Sequence, residues 1–425
     1  MIRLIFKNLW ARHRQNGWLL AELILVTIVT WVVADPVVVL THNRSLPEGF
    51  RSDDLYMITL GELTEKSSSY RSEESDSVHL PVNFERILQR VRSYDGVISA
   101  APLLENLFPY SPSMSTYMLE LDSTVLDTFV MHFVEQSDFF KTMGLEGAEG
   151  MTAAQLDQMT FNSNDFVLTA NSGWGIATVR NRSLLKDDSI KSSITGVVKP
   201  FRMMSGWQPM PVSLFPEKAV KAELIPNKAR ILFRVKEGTS VKAFLYQFRP
   251  WMVKELKAGN LYARKVQPYS TIRSTHEFTR GVTNKYRLNL ILGLFFLVNL
   301  CLGVAGTFWM QTRSRSEEVG IMLSFGANPR HIMRMLIGEG WLLTTVATFV
   351  GCLIYLNFVW KSGLYHGVWN SGDLSPDYLI NHFGWHFLLV SLLVWLILLV
   401  VVTIGVSIPA RRVSRINPVD ALRDE

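Results

Sequence analysis

The chain has 425 residues, 48% of them hydrophobic, with a formal net charge of +6 and two cysteines. So few cysteines exclude a disulfide scaffold, and the positive charge, gathered in short segments beside apolar runs, calls for no nucleic-acid partner. The apolar residues are concentrated in four windows nearly free of charge, 18–40, 288–310, 336–360 and 386–408, each long enough to cross a hydrocarbon core of about 30 Å, which takes about 20 helical residues.

In chain order, residues 1–17 place Ile2, Ile5, Phe6 and Leu9 at helical spacing among basic residues, the pattern of an amphipathic segment on a membrane surface. The window 18–40 is longer than the apolar run of a signal peptide and no clean small-x-small site follows it, so it reads as a retained first transmembrane helix. Residues 41–287 are rich in charge, Pro and Ser and read as an extracytoplasmic domain of α+β class with two subdomains. A strand is predicted over 55–60, a polar loop over 65–77, and a helix over 83–93 with Phe84, Ile87, Leu88 and Val91 on one face. Asp95-Gly96 stops that helix and a strand follows over 97–101. Strand 231–235, helix 241–255 and strand 262–266 repeat the pattern as a weak internal duplication, and between the two units 166–170 and 194–198 read as strands.

Residues 275–310 read as one helix about 50 Å long, a second transmembrane helix (288–310) prolonged outward as a stalk, with Gly281 its weak point. In the loop 311–335, Glu317 and Glu318 suit the first turn of a short helix. Val319, Met322 and Leu323 share a face there, with Ile321 and Phe325 nearby. Gly326 is placed to end it, Asn328 to cap the next helix and Pro329 to begin that helix. The third and fourth transmembrane helices, 336–360 and 386–408, flank a short external loop, 361–385, and a tail, 409–425, closes the chain. Basic residues cluster before the first window, in the loop 311–335 and in the tail, whereas 361–385 offers only Lys361. Both termini are therefore expected in the cytoplasm and 41–287 outside.

Several chemistries have no signature here. The sequence holds no G-x-x-x-x-G-K-[S/T] phosphate loop and no G-x-S-x-G elbow, and the H-E-x-x-H pattern that starts at His276-Glu277 fails at Arg280. No catalytic, cofactor or metal site is assigned. Within the windows Glu22 and Glu339, both near expected cytoplasmic ends, are the acidic residues singled out, and so little buried polarity argues against an ion-coupled transporter.

Glu317-Glu318-Val319-Gly320-Ile321, then Phe325-Gly326-Ala327-Asn328 and Glu339, resembles the E-[IV]-G-I…L-G-A…E signature of MacB/FtsX-type ABC transporter permeases. Pro409-Ala410-Arg411-Arg412, followed by Asn417-Pro418-Val419-Asp420-Ala421-Leu422-Arg423, resembles that family's P-A-R-R-A…N-P-V-E-A-L-R ending. Asp95-Gly96-Val97, Phe139-Phe140 with Gly144 and Gly147, and Gly196-Val197-Val198 resemble segments of its periplasmic core domain more loosely. The sequence departs from the pattern at Leu323, where a basic residue is usual, and at Ser324-Phe325.

The resemblance implies a non-catalytic permease of the bacterial inner membrane that works with a cytoplasmic ABC ATPase subunit and a second permease copy, identical or a paralogue. A periplasmic adaptor or hydrolase and membrane lipid complete the expected partners. ATP and Mg would be bound by the ATPase; since this sequence starts close to its first window, that ATPase is expected as a separate chain. The expected ATPase-coupling residues are Glu317, Glu318, Val319, Gly320, Ile321, Met322, Phe325 and Gly326, with Arg411 and Arg412. The implied function is export or extraction of an envelope molecule, peptide or drug by motion of the external domain. The alternative is FtsX-like activation of a cell-wall hydrolase without transport.

Overall fold

The computed structural model describes residues 13–105, 107–148, 150–183, 189–313, 316–365 and 382–414. The amphipathic segment up to residue 12, most of the external loop and the tail from residue 415 lie outside the described residues. The chain divides into a unit holding the residues up to His42 and most of those from Thr283 onward, and a second unit, Asn43–Val282.

Four described helices are long and apolar enough to cross a membrane: Gly17–Ser45, Val282–Thr307, Pro329–Ser362 and Phe383–Val413. They contain the four predicted windows, except that the second continues as helix to Arg313. Leu19, Leu23, Trp31, Ala347, Val390, Val394 and Leu398 share one buried cluster. Small residues set how close the helices come: a Cβ on Gly351 of the third helix would lie 2.8 Å from Thr27 Cβ of the first. Close backbone approach of this kind is how helices pack where lipid removes the hydrophobic drive.

The second membrane helix corrects one expectation. The helix Tyr269–Thr279 ends before it, and Val282–Arg313 starts afresh. Gly281 stands between them at φ +72°, and its N–H donates to Phe278 O at 3.1 Å. A right-handed helix cannot run through that conformation, which glycine adopts without cost.

Among its described residues, the external unit has two sheets. Strands β1 (Leu55–Glu62) and β2 (Val97–Leu103) are joined by the helix His79–Arg92. Strand β3 (Thr116–Leu121), β4 (Thr124–Val134), β5 (Asp165–Thr169), β6 (Thr178–Ser183), β7 (Ser189–Val198) and β8 (Val212–Glu217) follow. Strand β9 (Arg230–Val235) then leads through the helix Val241–Glu255 to β10 (Lys257–Ala258) and β11 (Leu261–Pro268). The first sheet has the order β10-β11-β1-β9-β2. Its two strand–helix–strand units interleave, β1 lying between β11 and β9, so the weak duplication seen in the sequence is a split βαβ arrangement. Phe84, Ile87 and Leu88 of one helix and Phe244, Phe248 and Met252 of the other bury against Tyr56, Ile58 and Phe233. Strands β3 to β8, inserted between β2 and β9, close into a barrel of order β3-β4-β8-β5-β7-β6 around Leu119, Phe166, Leu168, Val179 and Ile194.

Where the chain enters and leaves this unit, charged side chains meet. Glu277 accepts from Arg44 Nη2 at 3.3 Å, from Ser205 Oγ at 2.6 Å and from Arg273 Nε at 3.2 Å. Arg273 Nη1 also binds Glu48 Oε1. Burial works against the Glu277 carboxylate, and Ser205, Arg44 and Arg273 outweigh it, so its pKa lies below the usual 4.5. A depressed carboxylate contributes stability that is complete above its unfolded pKa and is lost as pH falls through its folded one. Thermal unfolding between pH 7 and pH 3 is therefore expected to show a smaller acid loss in Glu277→Gln than in the parent; equal acid slopes would contradict the assignment.

Candidate functional site

The segment between the second and third membrane helices is built from local punctuation. The helix Ser316–Ser324 ends at Phe325, and Gly326 takes φ +83°. Gly326 N–H donates to Leu323 O and Ala327 N–H to Met322 O, both at 3.0 Å. This pair of bonds is a Schellman closure with glycine in the left-handed position. Asn328 Oδ1 then accepts from Arg330 N–H at 3.0 Å, and Pro329 opens the third membrane helix. The glycine stop, the asparagine cap and the proline start all stand where the sequence puts them.

The two sides of the short helix are unequally buried. Val319 is 3% exposed and shares the membrane-unit cluster with Ile332, Leu336 and Val413. Met322, Leu323 and Ala327 pack partly buried against that cluster, and Gly320 is buried. The Val319, Met322 and Leu323 face is thus turned into the bundle, because it joins a larger apolar core than it could form alone. What the helix presents outward is Glu318, Ile321 (47% exposed) and Phe325 (87% exposed). These three are three and four residues apart and share the opposite face. Of the expected coupling residues, Val319 and Gly320 are buried and Met322 is partly buried. Glu317 lies in the first turn, and its side chain is outside the described residues.

Arg411 and Arg412 close the fourth helix, both exposed. The Arg412 guanidinium sits 5.0 Å from the ring centroid of Trp309 on the second helix, a cation–π contact. That contact holds the Arg412 guanidinium against the last part of the second helix. The short helix thus exposes Ile321 and Phe325 together with Glu318, and Arg411 and Arg412 stand exposed at the end of the fourth helix.

Sequence reasoning missed a second constellation. His386 Nε2 lies 2.6 Å from Asp35 Oδ1, and Asp35 Oδ2 accepts from Tyr365 N–H at 3.2 Å. His386 is 0% and Asp35 3% exposed. One turn before Asp35, Trp31 donates from Nε1 to Ser391 Oγ at 3.1 Å and packs its ring on Tyr355 and Phe387. The pair ties the first membrane helix to the fourth. An aspartate inside an apolar window is itself the signal that could have found it. The acids in the windows are thus not confined to Glu22 and Glu339. Of these two, Glu22 rests on the second helix, where a Cβ on Gly303 would meet its Oε1 at 2.7 Å.

Residues 290–418 match the family described as FtsX-like permease C-terminal, a stretch that includes the short helix and both arginines. The macrolide export ATP-binding/permease protein MacB of Chromobacterium violaceum is 23% identical over 298 residues, which cover 68% of this chain and 42% of that protein. The chain therefore spans less than half of that relative's length. Among solved structures, a domain of a permease protein from Porphyromonas gingivalis is 17% identical with a TM-score of 0.31, over 52% of this chain and 92% of that one. The periplasmic region of MacB from Actinobacillus actinomycetemcomitans is 13% identical with a TM-score of 0.30, over 54% and 94% respectively.

Proposed function

We propose that this chain, an ABC transporter permease of the MacB/FtsX type, couples ATP hydrolysis by a separate cytoplasmic ATPase to movement of its external domain. The work done is export or extraction of an envelope molecule, peptide or drug. The observation that carries this reading is the two-sided helix Ser316–Ser324, with Val319 anchored in the bundle while Ile321 and Phe325 face outward. Exposed apolar groups on a surface held this firmly mark an interaction site. Glu317, Glu318, Ile321 and Phe325 would meet the ATPase, Gly326 would fix the angle at which the helix is offered, and Arg411 and Arg412 would add charge at the same end. ATP and Mg belong to the ATPase, and a second permease copy completes the assembly.

In the membrane, both termini are placed in the cytoplasm and 41–287 in the periplasm, on the distribution of basic flanks. Cysteine labelling at positions 68 and 371, with Cys301 and Cys352 first replaced, is expected to mark both from outside; labelling of either from the cytoplasmic side overturns the topology. The function is tested by purification from native membranes. A nucleotide-hydrolysing subunit should accompany the chain, and hydrolysis should vanish when that subunit is removed and return when it is added back. Hydrolysis by the rigorously pure chain, or failure to recover any such subunit, would refute the reading.

A further inference from the structure

We propose that Arg44, Glu48, Arg273 and Glu277 are positioning residues: they clamp the chain's entry into the external domain to its exit, so that both connections move as one. This rests on the coupling function proposed above. The chain passes into the external unit at Asn43 and out of it at Val282. Movement carried along the first membrane helix arrives at the first point, and movement along the second helix arrives at the other.

The charged contacts run across this gap. Arg44 and Glu277 are 233 residues apart in sequence, and Glu48 and Arg273 are 225 apart. Each pair joins the entering segment to the exit helix Tyr269–Thr279, and Glu277 and Arg273 also bond each other, one turn apart. The four side chains are between 13% and 33% exposed. An isolated pair at that exposure is worth little, but linked charges with shared hydrogen bonds hold a geometry.

A third strand of chain strengthens the joint. Arg202, 1% exposed, donates to the carbonyls of Asn43 and Leu46. Asn43 Nδ2 in turn donates to Gly206 O at 2.9 Å, and Ser205 reaches Glu277. The entering segment is thus fixed to the 202–206 loop and the exit helix together. Immediately beyond the exit helix comes the break at Gly281. The clamp stiffens the domain side of that break, leaving the glycine as the point where the second membrane helix can change direction. Without the clamp, entry and exit could shift separately, and motion would be spent locally before reaching the sheets.

The test uses the full chain with its ATPase, Cys301 and Cys352 replaced by Ser, and follows amide exchange with and without ATP. In the parent, ATP is expected to change exchange within the external unit. Arg44→Cys combined with Glu277→Cys should keep hydrolysis within about twofold yet shrink that external response at least fivefold. Bridging the two thiols with a short bismaleimide should restore it, which a merely structural loss would not allow. If the double variant does not assemble, Glu277→Gln reads the same loss with an isosteric, neutral side chain. A full external response in the unbridged variant, or in Glu277→Gln, overturns the clamp and leaves the coupling function standing. No ATP-dependent change in the parent overturns the coupling function, and the clamp with it.

Discussion

Asp35→Ala is expected to destabilise the membrane unit by about 1–3 kcal/mol, the range for leaving a buried hydrogen-bonding group without its partner. His386 has no exposed surface, and Asp35 Oδ1 lies 2.6 Å from its Nε2. Trp31, Tyr355 and Phe387 pack around this end of the first and fourth helices. Truncation leaves the imidazole without its carboxylate partner, and frees the Tyr365 N–H from which the second oxygen accepts. Replacing both partners by leucine should cost far less, since no uncompensated polar group remains. The measurement is thermal unfolding of the detergent-solubilised chain followed by tryptophan fluorescence. A melting temperature for Asp35→Ala equal to that of the parent would show that the pair does not tie the helices, and a double variant as unstable as the single would show that packing, not pairing, is at stake.

That pair also marks where the sequence stops being informative. The four crossings were legible because each demands about 20 apolar residues in a row, and few other structures do. The short helix was legible because its ends are set locally: a left-handed glycine, an asparagine cap and a proline start need only their immediate neighbours. Asp35 and His386 stand 351 residues apart, and nothing in either window says that they meet. The same limit hid the inward turn of Val319, since which face of a short helix is buried depends on what the bundle offers it. Gly281 was ambiguous for a related reason: a lone glycine is tolerated inside a helix or ends one, and tertiary context decides.

In the external domain, the two helices of the first sheet and the strands beside them followed from amphipathic and strand patterns, and β5 and β7 from β-branched and apolar runs, whereas the interleaving of the two units did not. The rest of the barrel did not. Strand β6 reads Thr-Val-Arg-Asn-Arg-Ser, and β8 carries Pro216, neither a strong strand pattern. The barrel is closed by non-local pairs such as the parallel match of β4 with β8, where Thr128 meets Ser213 hydroxyl to hydroxyl at 2.8 Å across 85 residues. Pairing of that kind follows from closure of the sheet, not from the local pattern.

Phe325→Asp is expected to leave folding intact and to abolish most of the ATPase contact. Phe325 is 87% exposed and lies outside the buried cluster that holds Val319, so the change should alter stability by no more than about 0.5 kcal/mol, the usual range for a surface site. If it anchors the ATPase, losing an aromatic anchor costs about 2–4 kcal/mol, or about 30-fold or more in affinity at 1.4 kcal/mol per tenfold. Gly326→Pro acts differently: it removes the N–H that closes on Leu323 and cannot take φ +83°. It should turn the whole helix away and weaken binding even with Phe325 present. Val319→Asp, by contrast, should damage the bundle itself and lower the melting temperature. Pull-down of the ATPase with each variant, read beside melting curves, separates these outcomes. Were the helix resting on lipid alone, Phe325→Asp would recover as much ATPase as the parent and support the same stimulated hydrolysis, and the outward face of Ile321 and Phe325 would no longer qualify as the docking surface.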